Sequence, residues 1–275
     1  MKISLSHAAR YLNSRLGIKI YNDPYQQEYV ESLIAPTSEN QAIFVDAAAG
    51  TGKTSLAVAM AYYLLGMGEI EQIIYVRNAV SIREMGFLPG DIEEKEAPFM
   101  QPGIDVLSRM NPDQKNIIEH LIDDEKLVVT TTAFLRGVDW SGKKFLIIDE
   151  AQNLNLHELQ TVLTRPHDST KVVVIGSSLQ CDEAHKVGHY GIERYIPFQL
   201  FAYHYVNATN LKVKQLTLKR NYRGMFSLMA DHIDHSIKYL EIDPGQRNGS
   251  QKVKLKDDGK ELDEAWERMK TKVHE

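Results

Sequence analysis

A chain of 275 residues, 43% of them hydrophobic and 25% charged, holds enough apolar material for a packed core, which excludes a disordered polymer. Its 37 acidic and 32 basic side chains leave a net charge of −5, which excludes a uniformly basic coat for nucleic acid but allows a local basic groove. The single cysteine, Cys181, excludes an intrachain disulfide and fits a reducing, cytoplasmic setting.

The first predicted elements are helices. An amphipathic pattern near the N-terminus breaks around Gly17, and this stretch lacks the continuous apolar core of a secretion signal. A second helix opens at Asp23-Pro24, with proline at the first helical position. It runs through Gln26, Tyr29 and Leu33 and stops near Ala35-Pro36. From residue 41, apolar runs of strand length sit at 42–45, 73–76, 127–130, 145–148 and 172–175, with a further β-like run at 213–218, and helical patterns lie between several of them. Most runs are continuous rather than alternating, as in a parallel sheet covered on both faces. The expected fold is α/β and doubly wound, with its site at the carboxyl ends of the strands. After about residue 242 the chain turns polar, with turns at Asp243-Pro244-Gly245 and Asn248-Gly249 and a short closing helix expected at 261–272. The organisation read from this is a helical segment over 1–37, a core over 38–242 and a tail over 243–275. No apolar run approaches a membrane span, so a soluble chain without a membrane partner is expected.

Four segments carry chemistry. After the first strand, Gly50, Gly52, Lys53 and Thr54 stand where a P-loop would turn into its helix. The backbone from Ala49 through Gly50, Thr51, Gly52, Lys53 and Thr54 to Ser55 is expected to form an anion nest for ATP. Lys53 would reach the β- and γ-phosphates, and the Thr54 hydroxyl would bind Mg²⁺. The P-loop pattern asks for glycine at position 47, where this chain has Ala47. The methyl group costs on the order of 1–2 kcal/mol if that position is left-handed, and little otherwise. The second segment is a strand ending in Asp149-Glu150. Asp149 would hold Mg²⁺ through its water shell and Glu150 would polarise the attacking water; a solvated acidic turn is the plainer alternative. The third strand end, at Gly176, is followed by Gln180, read either as a γ-phosphate sensor or as an exposed loop glutamine. The fourth, 211–226, holds Lys212, Lys214, Lys219, Arg220 and Arg223 with no acid. Arg220 or Arg223 would bring positive charge to the γ-phosphate, unless the stretch is a solvated basic edge strand.

In this order, the segments resemble the PhoH-like proteins, ATPases related to superfamily-1 helicase cores, over roughly residues 22–235. The resemblance rests on the loop 47–54, on the stretch 77–102 with its Gly86-Phe87-Leu88-Pro89-Gly90-Asp91 core, on 133–137, and on Asp149-Glu150-Ala151-Gln152. It implies a RecA-like P-loop NTPase core, with a parallel sheet and helices on both faces, that hydrolyses ATP with Mg²⁺. Gln26 matches a glutamine that lies near the adenine in such proteins. Three departures stand out: Ala47 for glycine, Ser177 where the family usually has aspartate, and a 218–223 stretch closer to the helicase L-x-x-N-Y-R pattern. Arg220 fits the family's position and Arg223 the helicase one. The resemblance further implies action on or with RNA or another single-stranded nucleic acid, through the basic stretch and Arg77, Arg83 and Arg136. It also favours a homo-oligomer, preferably a hexamer, in which Arg220 and Arg223 serve a neighbour's nucleotide. The rival readings are a nucleotide-gated nucleic-acid-binding module with little turnover, favoured by Ala47 and Ser177, and a small-molecule kinase.

Overall fold

The computed structural model describes residues 3–77, 92–114, 116–132, 135, 138–178, 180, 196–231, 240–242 and 253–255, together with Lys260, Glu264, Glu267 and Arg268. Two compact units emerge. One comprises Met1–Ala47 and Gly52–Leu218, the other Ala48–Thr51 and Lys219–Glu275.

In the first unit, local signals set the N-terminal helices. Helix α1 (Leu5–Leu16) starts at Ser4, whose side chain accepts from the His7 N–H, and ends at Gly17 in a left-handed cap. Helix α2 (Pro24–Ile34) starts at Asp23, whose carboxylate accepts from the N–H groups of Tyr25 and Gln26. Pro36, two residues beyond its end, fits a helix stop. The elements that follow are β1 (Ala42–Asp46), α3 (Lys53–Gly66), β2 (Gln72–Arg77), α4 (Ile92–Met110), α5 (Ile117–Asp123), β3 (Leu127–Thr131), β4 (Lys144–Ile148), α6 (Leu156–Leu163), β5 (Lys171–Gly176), α7 (Pro197–Val206) and β6 (Val213–Leu216).

The six strands form one sheet in the order β3-β2-β4-β5-β1-β6, and every pairing is parallel. The two-residue alternation of strands sorts the apolar side chains into two cores. Ile43, Val45, Ile73, Phe145, Ile147, Val173 and Ile175 pack with helices α1 to α5 on one face. Phe44, Ile74, Val76, Leu146, Ile148, Val172 and Val174 pack with α6 and α7 on the other. This is a RecA-like α/β core with helices on both faces. All six strands stand where the apolar runs predict them, although β6 stops at Leu216, short of the run's end at 218. The order also puts β5 between β1 and β4, so the loop strand and the acidic strand are not neighbours.

By composition alone 77–102 reads as a charged loop with Pro89-Gly90 as a turn, yet α4 begins inside that stretch at Ile92 and includes Pro98 and Pro102. Its second half is held by packing, with Val106, Leu107 and Met110 buried in the first core. The second unit carries α8 (Met225–Asp231) and an antiparallel pair, β7 (Leu240–Ile242) with β8 (Val253–Leu255), while the two turns read from the sequence lie outside the described residues. Residues 78–91 of the signature stretch, Arg83, Arg136 and most of the expected closing helix lie outside the described residues.

Candidate functional site

The sheet directs three strand ends toward one region of the first unit. At the end of β1, Ala47 is buried and its N–H donates to the Gly176 carbonyl at 3.1 Å. Among the described residues, the non-glycine positions with positive φ are Glu125 and Glu150, so Ala47 is not left-handed and its methyl group adds no backbone strain. Gly52 has φ +87° and stands directly before α3. A Cβ there would lie 3.2 Å from Nε2 of Gln26, which brings that buried glutamine to the loop. Lys53 is 9% exposed, and its carbonyl accepts from the buried Tyr29 hydroxyl at 3.2 Å, tying α3 to α2. Thr54 and Ser55 follow on the first turn of α3, both half-buried.

The two carboxylates at the end of β4 differ sharply. Asp149 is 1% exposed. Its Oδ1 accepts from the Thr54 hydroxyl at 3.1 Å and its Oδ2 from the Tyr75 hydroxyl at 2.6 Å. Burial pushes the Asp149 carboxyl above its ordinary value, and the neighbouring Glu150 adds to this; the bonds from Tyr75 and Thr54 and the charge of Arg77 oppose the rise. Burial also raises the Tyr75 hydroxyl well above its usual range, so Tyr75 remains a donor. Glu150 is partly exposed and sits in a left-handed conformation at φ 54°. Its Oε1 lies 3.2 Å from the Arg77 guanidinium, and its Oε2 accepts from Gln152 Nε2 at 2.6 Å. Gln152 in turn accepts from the Ser177 N–H at 3.0 Å, so its amide bridges Glu150 to the end of β5. The Ser177 hydroxyl is buried and has no hydrogen-bond partner among the described residues. Gln180 is exposed, with its N–H on the Ser177 carbonyl at 3.2 Å.

Sequence reasoning missed Tyr75 and Gln152. Tyr75 lies in an apolar run that reads as core, and Gln152 carries no signal beyond its place in the motif at 149–152. Arg77, read as a nucleic-acid contact, has its guanidinium on Glu150.

The second unit holds the remaining loop residues. Gly50 has φ +71°, a conformation that favours glycine, and its carbonyl accepts from the Tyr222 N–H at 2.8 Å. A Cβ at Gly50 would come within 2.7 Å of Asn221 Oδ1 and 2.8 Å of Arg223 Cγ, so only glycine fits there. The Thr51 hydroxyl donates to the Ala48 carbonyl at 3.0 Å, while Ala49 between them is half-buried. Asn221 Oδ1 accepts from the N–H groups of Arg223 and Gly224, which folds 221–224 into a tight turn. The Arg220 guanidinium lies 5.4 Å from the centre of the Tyr222 ring. Of the two candidate arginines, Arg223 is therefore the one packed against the loop of its own chain. In the first unit β6 is an edge strand, as the plainer reading of the basic stretch expected, with Lys214 exposed on it.

Comparison with known proteins gives a consistent picture. A family model described as PhoH-like protein matches residues 19–226. The PhoH-like protein of Synechocystis sp. is 35% identical over 158 residues, covering 57% of this chain and 46% of that protein. Protein PhoH of Escherichia coli (strain K12) is 35% identical over 145 residues, covering 52% of this chain and 40% of that protein. The matched region thus spans less than half the length of these curated relatives. Among solved structures, the UvsW helicase of bacteriophage T4 aligns with 79% of this chain and 68% of its own, at 13% identity and a TM-score of 0.46.

Proposed function

The chain belongs to the PhoH-like protein family, and from that premise we propose that it is a Mg²⁺-dependent ATPase that acts on or with RNA. The carrying observation is the 3.1 Å bond between Thr54, on the first turn after the loop, and Asp149, at the end of a buried strand. These two hard oxygen donors meet although 95 residues separate them, and the pair suits a hard divalent cation beside a triphosphate. Mg²⁺, when bound there, would supply charge neutralisation on the phosphate oxygens.

The chain's own groups account for the rest. The backbone of 49–55 would hold the phosphates, with Gly50 and Gly52 supplying the turns that other residues resist. Gln26, beside Gly52, would border the nucleotide. Lys53 would carry positive charge to the β- and γ-phosphates. Glu150 would orient the attacking water and take up its proton's hydrogen bond, and Arg223 would bring positive charge to the transition state at a neighbour's nucleotide. Arg220, turned onto Tyr222, suits nucleic-acid contact better, together with the exposed Lys212, Lys214 and Lys219. Such contact weakens steeply with salt. Cytoplasmic location fits the lone cysteine, and among the described residues no helix is long and apolar enough to cross a membrane. A homo-oligomer, preferably a hexamer, is the proposed assembly.

A second reading has its own support. Arg77 and Gln152 occupy both oxygens of Glu150, an arrangement suited to a nucleotide-gated binding module with little turnover. Phosphate release, measured with and without single-stranded RNA, separates the two. The ATPase reading expects wild-type release well above a Glu150→Gln control. Release equal to that control in both conditions would sink it in favour of the module.

A further inference from the structure

We propose that Tyr75 is the positioning residue for the metal-binding carboxylate, and that Gly103 of α4 seats it, so that α4 sets the geometry of Asp149. The inference rests on the reading of Thr54 and Asp149 as the cation site. Tyr75 lies on β2, 2% exposed, within the first core. Its hydroxyl reaches the carboxylate of the adjacent strand and makes the shortest of the bonds to Asp149, 2.6 Å against 3.1 Å from Thr54. With Oδ2 taken by a buried donor, Asp149 cannot rotate, and Oδ1 is fixed toward Thr54. A ligating carboxylate held by an outer hydrogen bond binds its metal more tightly, and loss of such a partner typically weakens affinity about 10–100-fold.

The seat of the ring is as specific as the bond. A Cβ at Gly103 would come within 3.0 Å of Cε2 and Cζ of Tyr75 and 3.1 Å of Cε1. Glycine at this helical position lets the ring lie flat against the α4 backbone. A Cβ there would require the ring, and the hydroxyl with it, to shift by a few tenths of an ångström. Tyr75 and Gly103 share the wall of one small cavity with Val58, Ile73, Ile104, Leu107, Leu127 and Val129, all of them apolar side chains. Placing a hydroxyl on this otherwise apolar wall is therefore explained by Asp149. Because α4 takes up the last part of the signature stretch, a shift of that helix would reach the cation site through one ring.

The test is direct titration of Mn²⁺ into the full chain with a non-hydrolysable ATP analogue, for wild type, Tyr75→Phe, Gly103→Ala and Asp149→Asn. Tyr75→Phe removes one oxygen from a well-packed ring, and its Mn²⁺ affinity is expected to fall about 10–100-fold. Binding of the analogue in EDTA should stay unchanged. Gly103→Ala should weaken Mn²⁺ in the same direction without touching the site. Tyr75→Phe within twofold of wild type, while Asp149→Asn loses Mn²⁺, would overturn the role of Tyr75, even if its melting temperature drops. Unchanged Mn²⁺ affinity in Gly103→Ala would overturn the role of α4. Mn²⁺ affinity unchanged in Asp149→Asn would instead remove the cation site on which the inference stands.

Discussion

The carboxyl ends of the sheet bury an acid, Asp149, between two side-chain hydroxyls; the amino ends bury a base, Lys171, between backbone carbonyls. Lys171 is 3% exposed and its ammonium group donates to the carbonyls of Ala35, at 2.9 Å, and Asn40. Burial, assisted by Lys214, pushes it down to about 7. Both groups incur desolvation, yet their partners differ in kind. The carbonyls belong to the segment between α2 and β1 and are closed by Lys171 itself, so the lysine pins that segment to β5. Asp149 is held by Thr54 and Tyr75, and Thr54 stands on the loop helix with a hydroxyl that can turn to a cation. One buried group ties the fold together, and the other is the one proposed to take a cation. The contrast predicts that changes at the carboxyl ends cost activity while changes at the amino ends cost stability.

The largest expected effect is at Lys53. Lys53→Ala removes the charge proposed to meet the transferring phosphate, and loss of one such electrostatic donor typically lowers the rate about 10²–10³-fold. Phosphate release from purified protein measures this, with a melting temperature close to wild type as the companion readout. Release equal to wild type would break the assignment of the loop as a catalytic site.

Lys171→Met probes the other end. It leaves two carbonyls without their donor, at a cost of about 1–3 kcal/mol in unfolding free energy, with phosphate release per folded molecule unchanged. The pH dependence has a definite sign. The folded lysine titrates near 7 and the unfolded one near 10.5, so between these values the unfolded chain binds a proton that the folded chain lacks. Stability from this group therefore rises with pH across that window. Denaturant unfolding at pH 7 and pH 9.5 should show the gap between wild type and Lys171→Met widening at the higher pH. A gap that narrows would show that Lys171 is held charged.

The same contrast separates what is legible in the sequence from what is not. The break at Gly17, the helix start at Asp23 and the six apolar runs are local patterns, and they stand in the structure where the sequence puts them. Loop and acid pair were legible for the same reason. The partners of the acids were not. Tyr75 meets Asp149 across 74 residues and Arg77 meets Glu150 across 73, pairings created by the placement of β2 beside β4. No spacing rule on a single segment carries that information. Helix α4 was missed because the composition of 77–102 suggests a charged loop, while the packing of Val106, Leu107 and Met110 against the core decides for helix.

Arg77→Gln gives a smaller effect with an informative sign. The Arg77–Glu150 pair is partly exposed, with side chains 22% and 29% accessible, and pairs of this kind contribute about 0.2–1 kcal/mol. If the pair holds Glu150 away from water, its loss should raise basal phosphate release by up to about fivefold. A fall of similar size would mean that Arg77 aims the carboxylate instead, and would place Arg77 with Tyr75 among the positioning residues.

The smallest effect is expected at Ala47, the position where the loop departs from its pattern. The residue is buried, its N–H is bonded to Gly176, and its backbone is not left-handed. Glycine there adds conformational freedom to the unfolded chain without relieving strain, so Ala47→Gly should lower stability by about 0.4–1 kcal/mol. In the proposed site the phosphates meet the loop further on, through Gly50, Gly52 and Lys53, so affinity for ATP should stay within about twofold, below roughly 0.4 kcal/mol. Paired measurements of unfolding and ATP binding decide the matter. A gain in ATP affinity well beyond twofold would mean that the Ala47 methyl group obstructs the loop, and that the boundary between fold and site at the carboxyl ends lies one turn earlier than Gly50.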